Sequence, residues 1–433
     1  MMRRTLQLLS ASFVCASVGC AQPHSDLLSK HLSPQRKEDA QQHWDSMRGD
    51  VKLQLARQHL QAGRLDDAEK VLEQTAGITP KNAQVFVLLT RLRLEQGRLA
   101  DAKQAIQAAQ ALSAGDPEIP YLAGIVAQRY GNLGEAGSYY AAAARLSPNI
   151  ASYVLAQAET LVALEQPIDA MELVEGRLKD FDTNGPMHMF AARISRMVGL
   201  RGPATAHCRE AIRLSPDDTT MIIEAGQILV WAERYGDAIS ILAPVVEAKT
   251  LAAGSPATPS ARRCLATAYF GDGRFDQAMK ALEPALSDDA VDNATCVLFA
   301  RAALAAGDVE SASRVIQAVH QRGSQSAETL LVAGFIALRE NEFAIASEVA
   351  GQALRLDPSL AAAYCIRGES AEATGRLDEA KEAYQTALGH DPGAKAAANR
   401  LDELSAAHHC EDPIGKTSVV DDGLTPRLGR ATR

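Results

Sequence analysis

The side chains with most chemistry to offer are seven cysteines, one His-His-Cys run and a set of arginines at regular intervals. Cys15, Cys20, Cys208, Cys264, Cys296, Cys365 and Cys410 invite a disulfide reading if the chain is exported to an oxidising compartment. Cys208, Cys264, Cys296 and Cys365 fall in helix-patterned segments and are expected to be buried as small apolar residues. Cys264 and Cys296 form the one pair placed for a bridge. His408-His409-Cys410 is the sole metal-like cluster. Adjacent histidines point to different faces of a helix, and no second Cys/His pair stands at ligand spacing, so no metal site is expected. A phosphate-cradling glycine loop, a nucleophile elbow and a metalloprotease histidine pair are all missing from the sequence. Acidic residues alternate with Lys and Arg, as on a solvated helix face. The chain is expected to be no enzyme and to use no cofactor.

The elements that carry these residues announce themselves by period. Alanine recurs every 34 residues at Ala68, Ala102, Ala136, Ala170, Ala204 and Ala238, then after a step of 40 at Ala278, Ala312, Ala346 and Ala380. A fixed period of this size marks stacked helix-turn-helix units. Within one unit, 363–374 is proline-free with small or apolar residues at helical spacing, and Gly375 is a left-handed helix stop. Leu377, Ala380, Tyr384 and Ala387 then line one face of a second helix, which Asp391-Pro392 ends. Glycine takes the same turn position at 63, 97, 131, 199, 273 and 307, and Asn341 takes it once. Proline closes second helices at 80, 148, 216, 358 and 392. The recurring alanine marks where paired helices cross most closely, with Gly124, Gly226, Gly334 and Gly368 opposite it.

This pattern resembles the tetratricopeptide repeat, a 34-residue motif with small residues at its eighth, twentieth and twenty-seventh places and proline often at its thirty-second. The resemblance covers ten consecutive units over residues 51–396 and implies an all-α, right-handed superhelical solenoid. The family's aromatic places are sparsely kept, by Tyr364 at the fourth and Tyr269 at the eleventh. The unit at 153–186 lacks both the turn glycine and the closing proline. Lys249 to Ser260 explains the long step as an enlarged loop, expected near 249–260. Residues 397–410 read as a solvating cap helix and 411–433 as a disordered tail.

In repeats of this family the first helices line a concave groove, onto which their fifth and ninth places face. By that resemblance the candidate peptide-binding residues are Arg57, Val87, Arg91, Tyr121, Leu155, Met189, Arg193, Ile223 and Arg301. An apolar floor studded with arginines suits a peptide with apolar anchors and acidic residues. The fifth-place residues serve equally well as packing between neighbouring helices. The lysine-asparagine pairing with which some relatives clamp a terminal carboxylate is missing.

The leader starts Met-Met-Arg-Arg and continues with a short apolar stretch to Gly19. Ser17-Val18-Gly19-Cys20 resembles the lipobox of bacterial lipoproteins, with Ser17 where leucine is usual. The expectation is a signal peptide over 1–19, lipidation at Cys20, and a tether and N-terminal cap over 20–50, with ordinary secretion into the periplasm as the alternative. A net charge of −9 with no basic stripe disfavours nucleic acid. Protein partners are expected, with the membrane reached through the lipid anchor. The function implied by the resemblance is a scaffold facing the periplasm from the outer membrane, in pilus, secretin or secretion assemblies. The alternative is an accessory or regulatory subunit of an envelope enzyme complex, such as one for polysaccharide export.

Overall fold

The computed structural model describes residues 34–247, 257–286 and 291–407. Among them there are twenty-one α-helices and no strand, an all-α repeat fold. The signal peptide, Cys20, the tether to residue 33, the His408-His409-Cys410 run and the tail lie outside the described residues, as does most of the 249–260 segment. The chain divides into two compact units, one up to Thr160 and one from Leu161.

In the first unit, α1 (Pro34–Gln61) pairs with α2 (Leu65–Ile78), α3 (Ala83–Glu95) with α4 (Leu99–Leu112), and α5 (Glu118–Arg129) with α6 (Leu133–Leu146). The unit ends within α7 (Ala151–Ala163). α2 also packs on α3 and α4 on α5, and first helices touch one another, α1 on α3 and α3 on α5. α1 runs unbroken through residue 50, so the expected cap and the first repeat are one helix of 28 residues.

The second unit holds α8 (Pro167–Arg177), α9 (Gly185–Met197), α10 (Arg201–Leu214), α11 (Thr219–Trp231) and α12 (Tyr235–Glu247). It continues with α13 (Ala257–Gly271), α14 (Phe275–Leu286), α15 (Asn293–Ala306), α16 (Val309–Gln321) and α17 (Ala327–Arg339). α18 (Phe343–Leu356), α19 (Ala361–Ala373), α20 (Leu377–His390) and α21 (Lys395–Ala407) complete it. First helices are in contact from α9 through α11, α13, α15 and α17 to α19. The last four residues of the expected 249–260 loop are already helix α13, because Pro259 falls in its first turn, where no ladder N–H is needed.

All ten periodic alanines are wholly buried, as the crossing argument requires. Opposite them, a Cβ on Gly124 would lie 2.5 Å from Tyr140 Cε1, one on Gly226 2.7 Å from Leu242 Cδ1, and one on Gly368 2.6 Å from Tyr384 Cε1. Tyr140 and Tyr384 close these contacts the same way: each hydroxyl donates to a residue on the facing first helix, Gln128 at 2.7 Å and Glu372 at 3.0 Å.

The seven turn glycines and Asn341 all have positive φ, from 61° to 86°. Where glycine is missing the turn keeps its shape: Glu165 and Glu233 take φ of 61° and 60°. Packing of the two helices evidently outweighs the cost of a left-handed non-glycine residue, about 1–2 kcal/mol. Seven of the first helices, α3, α7, α9, α11, α15, α17 and α19, begin two residues ahead of the repeat starts read from the sequence, and at five of them an N-cap side chain fixes the start. Asn82, Asn184, Asp218 and Asp292 each accept a backbone N–H from two or three residues on, at 2.7–3.0 Å. Ser326 and Thr329 form a reciprocal capping box.

Candidate protein-interaction surface

The first helices present their ninth places as rows that repeat every 34 residues, so neighbouring hairpins bring those side chains side by side. In the first unit Arg57 on α1 is exposed, and its Nη2 donates to Gln84 Oε1 on α3 at 3.3 Å. Gln84 passes the contact on, donating from Nε2 to Asp116 Oδ2 at 2.7 Å. Arg91 Nη2 stands 2.6 Å from Glu118 Oε1 on α5. Tyr121 is half-buried between two other rings, with centroids 4.8 Å away for Tyr153 and 5.7 Å for Tyr140. Burial raises the Tyr153 hydroxyl above its ordinary pKa, and the carboxylates of Glu118 and Asp116 add to that. Leu155 is half-buried on α7.

In the second unit Arg193 on α9 holds Glu224 on α11 with two hydrogen bonds, Nε to Oε1 at 2.7 Å and Nη2 to Oε2 at 3.1 Å. That fork geometry is the strong form of an ion pair. Arg263 on α13 pairs with Asp292 at 2.7 Å. Arg301 on α15 differs. Its guanidinium lies over the Phe270 ring at 5.2 Å, and no carboxylate among the described residues comes within 4 Å of it. Burial pulls its pKa below the ordinary arginine value, opposed by the more distant Glu328. It still carries its charge at neutral pH.

Of the nine candidate residues, Val87, Met189 and Ile223 are buried, at 0%, 3% and 7% exposure. They fill the seams between first helices and cannot receive a partner's side chain. At these three positions the fifth place packs, one of the two roles expected for it, whereas Tyr121 and Leu155 at the same place are half-buried. Arg91 and Arg193 already hold carboxylates of the next repeat, so their charge is largely spent. Arg57, Tyr121, Leu155 and Arg301 remain reachable. Sequence reasoning missed Glu118 and Glu224, the acids that neutralise these arginines. Their positions 27 and 31 residues after Arg91 and Arg193 place them on the neighbouring helix once the period is known.

The cysteines behave as small apolar residues. Cys208, Cys264, Cys296 and Cys365 are buried free thiols, so Cys264 and Cys296 do not bridge. Burial pushes Cys208, Cys264 and Cys365 up to about 12.

Family models described as tetratricopeptide repeat match residues 59–124 and 269–331, and another of the same description matches 331–399. Tetratricopeptide repeats are thus detected over residues 59–124 and 269–399. Such repeats in general form non-catalytic scaffolds that bind protein partners. A curated relative, the probable UDP-N-acetylglucosamine–peptide N-acetylglucosaminyltransferase SPINDLY of Petunia hybrida, is 38% identical over 87 residues. That stretch is 20% of this chain and 9% of the relative's own length. Among solved structures, PilF of Pseudomonas aeruginosa is similar at 17% identity and TM-score 0.43, covering 49% of this chain and 96% of its own. A tetratricopeptide repeat protein of Parabacteroides merdae is similar at 15% identity and TM-score 0.44, covering 60% of this chain and 99% of its own.

Proposed function

We propose that this chain is a non-catalytic scaffold of the bacterial cell envelope that takes protein segments on its first-helix faces. The observation that carries the binding part is Arg301: a charged, half-buried side chain beside an aromatic ring, with no carboxylate at ion-pair distance among the described residues. A desolvated cation of this kind gains from an incoming acidic group more than an arginine already paired does. Tyr121 and Leu155 supply half-buried apolar surface in the first unit, and tyrosine is a frequent anchor of binding energy.

The envelope part is supported by the leader alone, with its basic start, apolar stretch and lipobox-like Ser17 to Cys20. We place the protein on the outer membrane facing the periplasm, assisting assembly of a pilus, secretin or secretion complex. Cys20→Ser should move it from the membrane fraction to soluble periplasm, since stable anchoring needs more than one acyl chain. A wild-type chain that is already soluble, with its N-terminus at or near Ala21, would rule out the anchor. For the surface, partners recovered from solubilised envelope should bind less tightly to Arg301→Ala and Tyr121→Ala. Unchanged binding by both, with loss on altering second helices, would move the interface to the opposite face.

A further inference from the structure

Three consecutive helices of the second unit bring two imidazoles and a carboxylate together, away from the arginine row. His188 lies in the first turn of α9, His207 in the middle of α10 and Glu175 near the end of α8. His188 Nδ1 stands 3.3 Å from His207 Nδ1, although the two residues are 19 apart in sequence. On the far side of each ring, His207 Nε2 is 2.9 Å from Glu175 Oε1, and His188 Nε2 is 3.2 Å from the Asp182 backbone oxygen. Both rings are half-buried, whereas Glu175 and Asp182 are exposed.

Counting hydrogens shows what this arrangement lacks. A carboxylate and a carbonyl oxygen only accept, so both Nε2 atoms must donate. A neutral imidazole carries a single N–H, which leaves both Nδ1 atoms as bare lone pairs facing each other at 3.3 Å. Two acceptors at that distance repel unless a cation joins them. Metal-bound histidines share this outer pattern: the nitrogen away from the ion donates to a carboxylate or a backbone carbonyl, which fixes tautomer and orientation. Zn–N bonds at a tetrahedral angle put two ligand nitrogens about 3.3–3.4 Å apart. The square-planar angle suited to Cu²⁺ or Ni²⁺ puts them about 2.9 Å apart, so the separation fits zinc. The ring centroids are 5.6 Å apart, so the two nitrogens meet nearly head-on. A turn of about 35° in each ring aims both lone pairs at one ion, and the χ2 torsion of histidine is soft enough to allow it. Glu175 and Asp182, being exposed, can follow the rings.

We propose that His188 Nδ1 and His207 Nδ1 together bind a single Zn²⁺ ion, with Glu175 and the Asp182 carbonyl holding the two rings from behind. Among the described residues no group of three or more His, Cys, Asp or Glu is placed to hold an ion, so the remaining tetrahedral positions go to water. The ion ties α9 to α10 across their turn, and Glu175 brings α8 into the clip. This is the seam after the unit at 153–186, where no proline closes the second helix and the chain passes instead through a short 3-10 turn at Leu178–Asp180.

The test uses the full chain, stripped of metal with EDTA and titrated with zinc chloride by calorimetry. His408→Ala, His409→Ala and Cys410→Ala are introduced first, so that the His-His-Cys run does not compete. Zinc should saturate at a single equivalent. His188→Asn and His207→Asn should each weaken binding at least about tenfold, and Glu175→Ala about tenfold, with the helical circular dichroism unchanged. Nitrogen-15 spectra of the parent chain give a readout that stands even if a variant folds poorly. Zinc should shift the Nδ1 resonances of two histidines and leave their Nε2 atoms protonated. Heat that does not saturate, or binding indifferent to both histidine changes, overturns the proposal. So does a proton that stays shared between the two Nδ1 atoms when zinc is added.

Discussion

Gly368→Ala sets two opposing terms against each other at a place where the geometry fixes both. The new Cβ would lie 2.6, 2.8 and 2.9 Å from Tyr384 Cε1, Cδ1 and Cζ. Carbon atoms prefer about 3.5–4.0 Å, so the ring must retreat by about 1 Å. Tyr384 is 1% exposed, and its hydroxyl donates to Glu372 Oε2 at 3.0 Å. Retreat therefore either stretches a hydrogen bond to a carboxylate or spreads α19 from α20. Overpacking of this kind costs about 1–3 kcal/mol. Against it, alanine is better than glycine in a helix interior by about 1 kcal/mol. The clash should win by up to about 2 kcal/mol, because the atoms it meets belong to a pinned ring. Amide hydrogen exchange in α19 and α20 is the suitable assay, since repeat arrays lose stability locally. Exchange there should speed up by about tenfold, with little change in the first unit. Replacing Tyr384 by Leu in the Gly368→Ala background should cost clearly less than in the parent, as two residues in contact require. A neutral or stabilised Gly368→Ala, with additive effects in the double variant, would refute the reasoning.

Three further outcomes follow from particular side chains. Cys208, Cys264 and Cys365, raised to about 12 by burial, should resist iodoacetamide in the folded chain at pH 8 and react once denaturant is added; mass spectrometry counts the labels. Burial alone would raise the carboxyl of Asp292, but the Thr295 N–H and Arg263 outweigh it and hold it below the ordinary value. Its contribution is then fully present above the unfolded pKa of about 3.9 and is lost as pH falls through the folded value, so Asp292→Asn should flatten the stability loss seen on acidification below about pH 4. Glu165→Gly should raise the melting temperature, by the equivalent of about 0.5–1 kcal/mol, because glycine accepts a φ of 61° without the left-handed penalty; a lower melting temperature would show that the Glu165 side chain contributes more than the turn costs.

The 34-residue period alone determined the helical hairpins, their turns and the residues at which they cross. Backbone preference and steric fit act locally, so Gly63, Gly375, Asn341 and the ten alanines announce their roles in the sequence. Turns without glycine at Glu165 and Glu233 did not, because there the packed helices impose the conformation on residues that disfavour it. The candidate surface was half legible. Periodicity put Arg91, Arg193 and Arg301 on equivalent places, yet only the packed structure decided what each guanidinium meets. Arg91 and Arg193 find Glu118 and Glu224 on the next helix, whereas Arg301 finds Phe270. Val87, Met189 and Ile223 were likewise placed on the right helices with two roles open to them, and their burial was decided by how closely the first helices approach. A repeat period specifies which positions are equivalent; the distance between neighbouring helices, which no single repeat encodes, decides which of those positions a partner can reach.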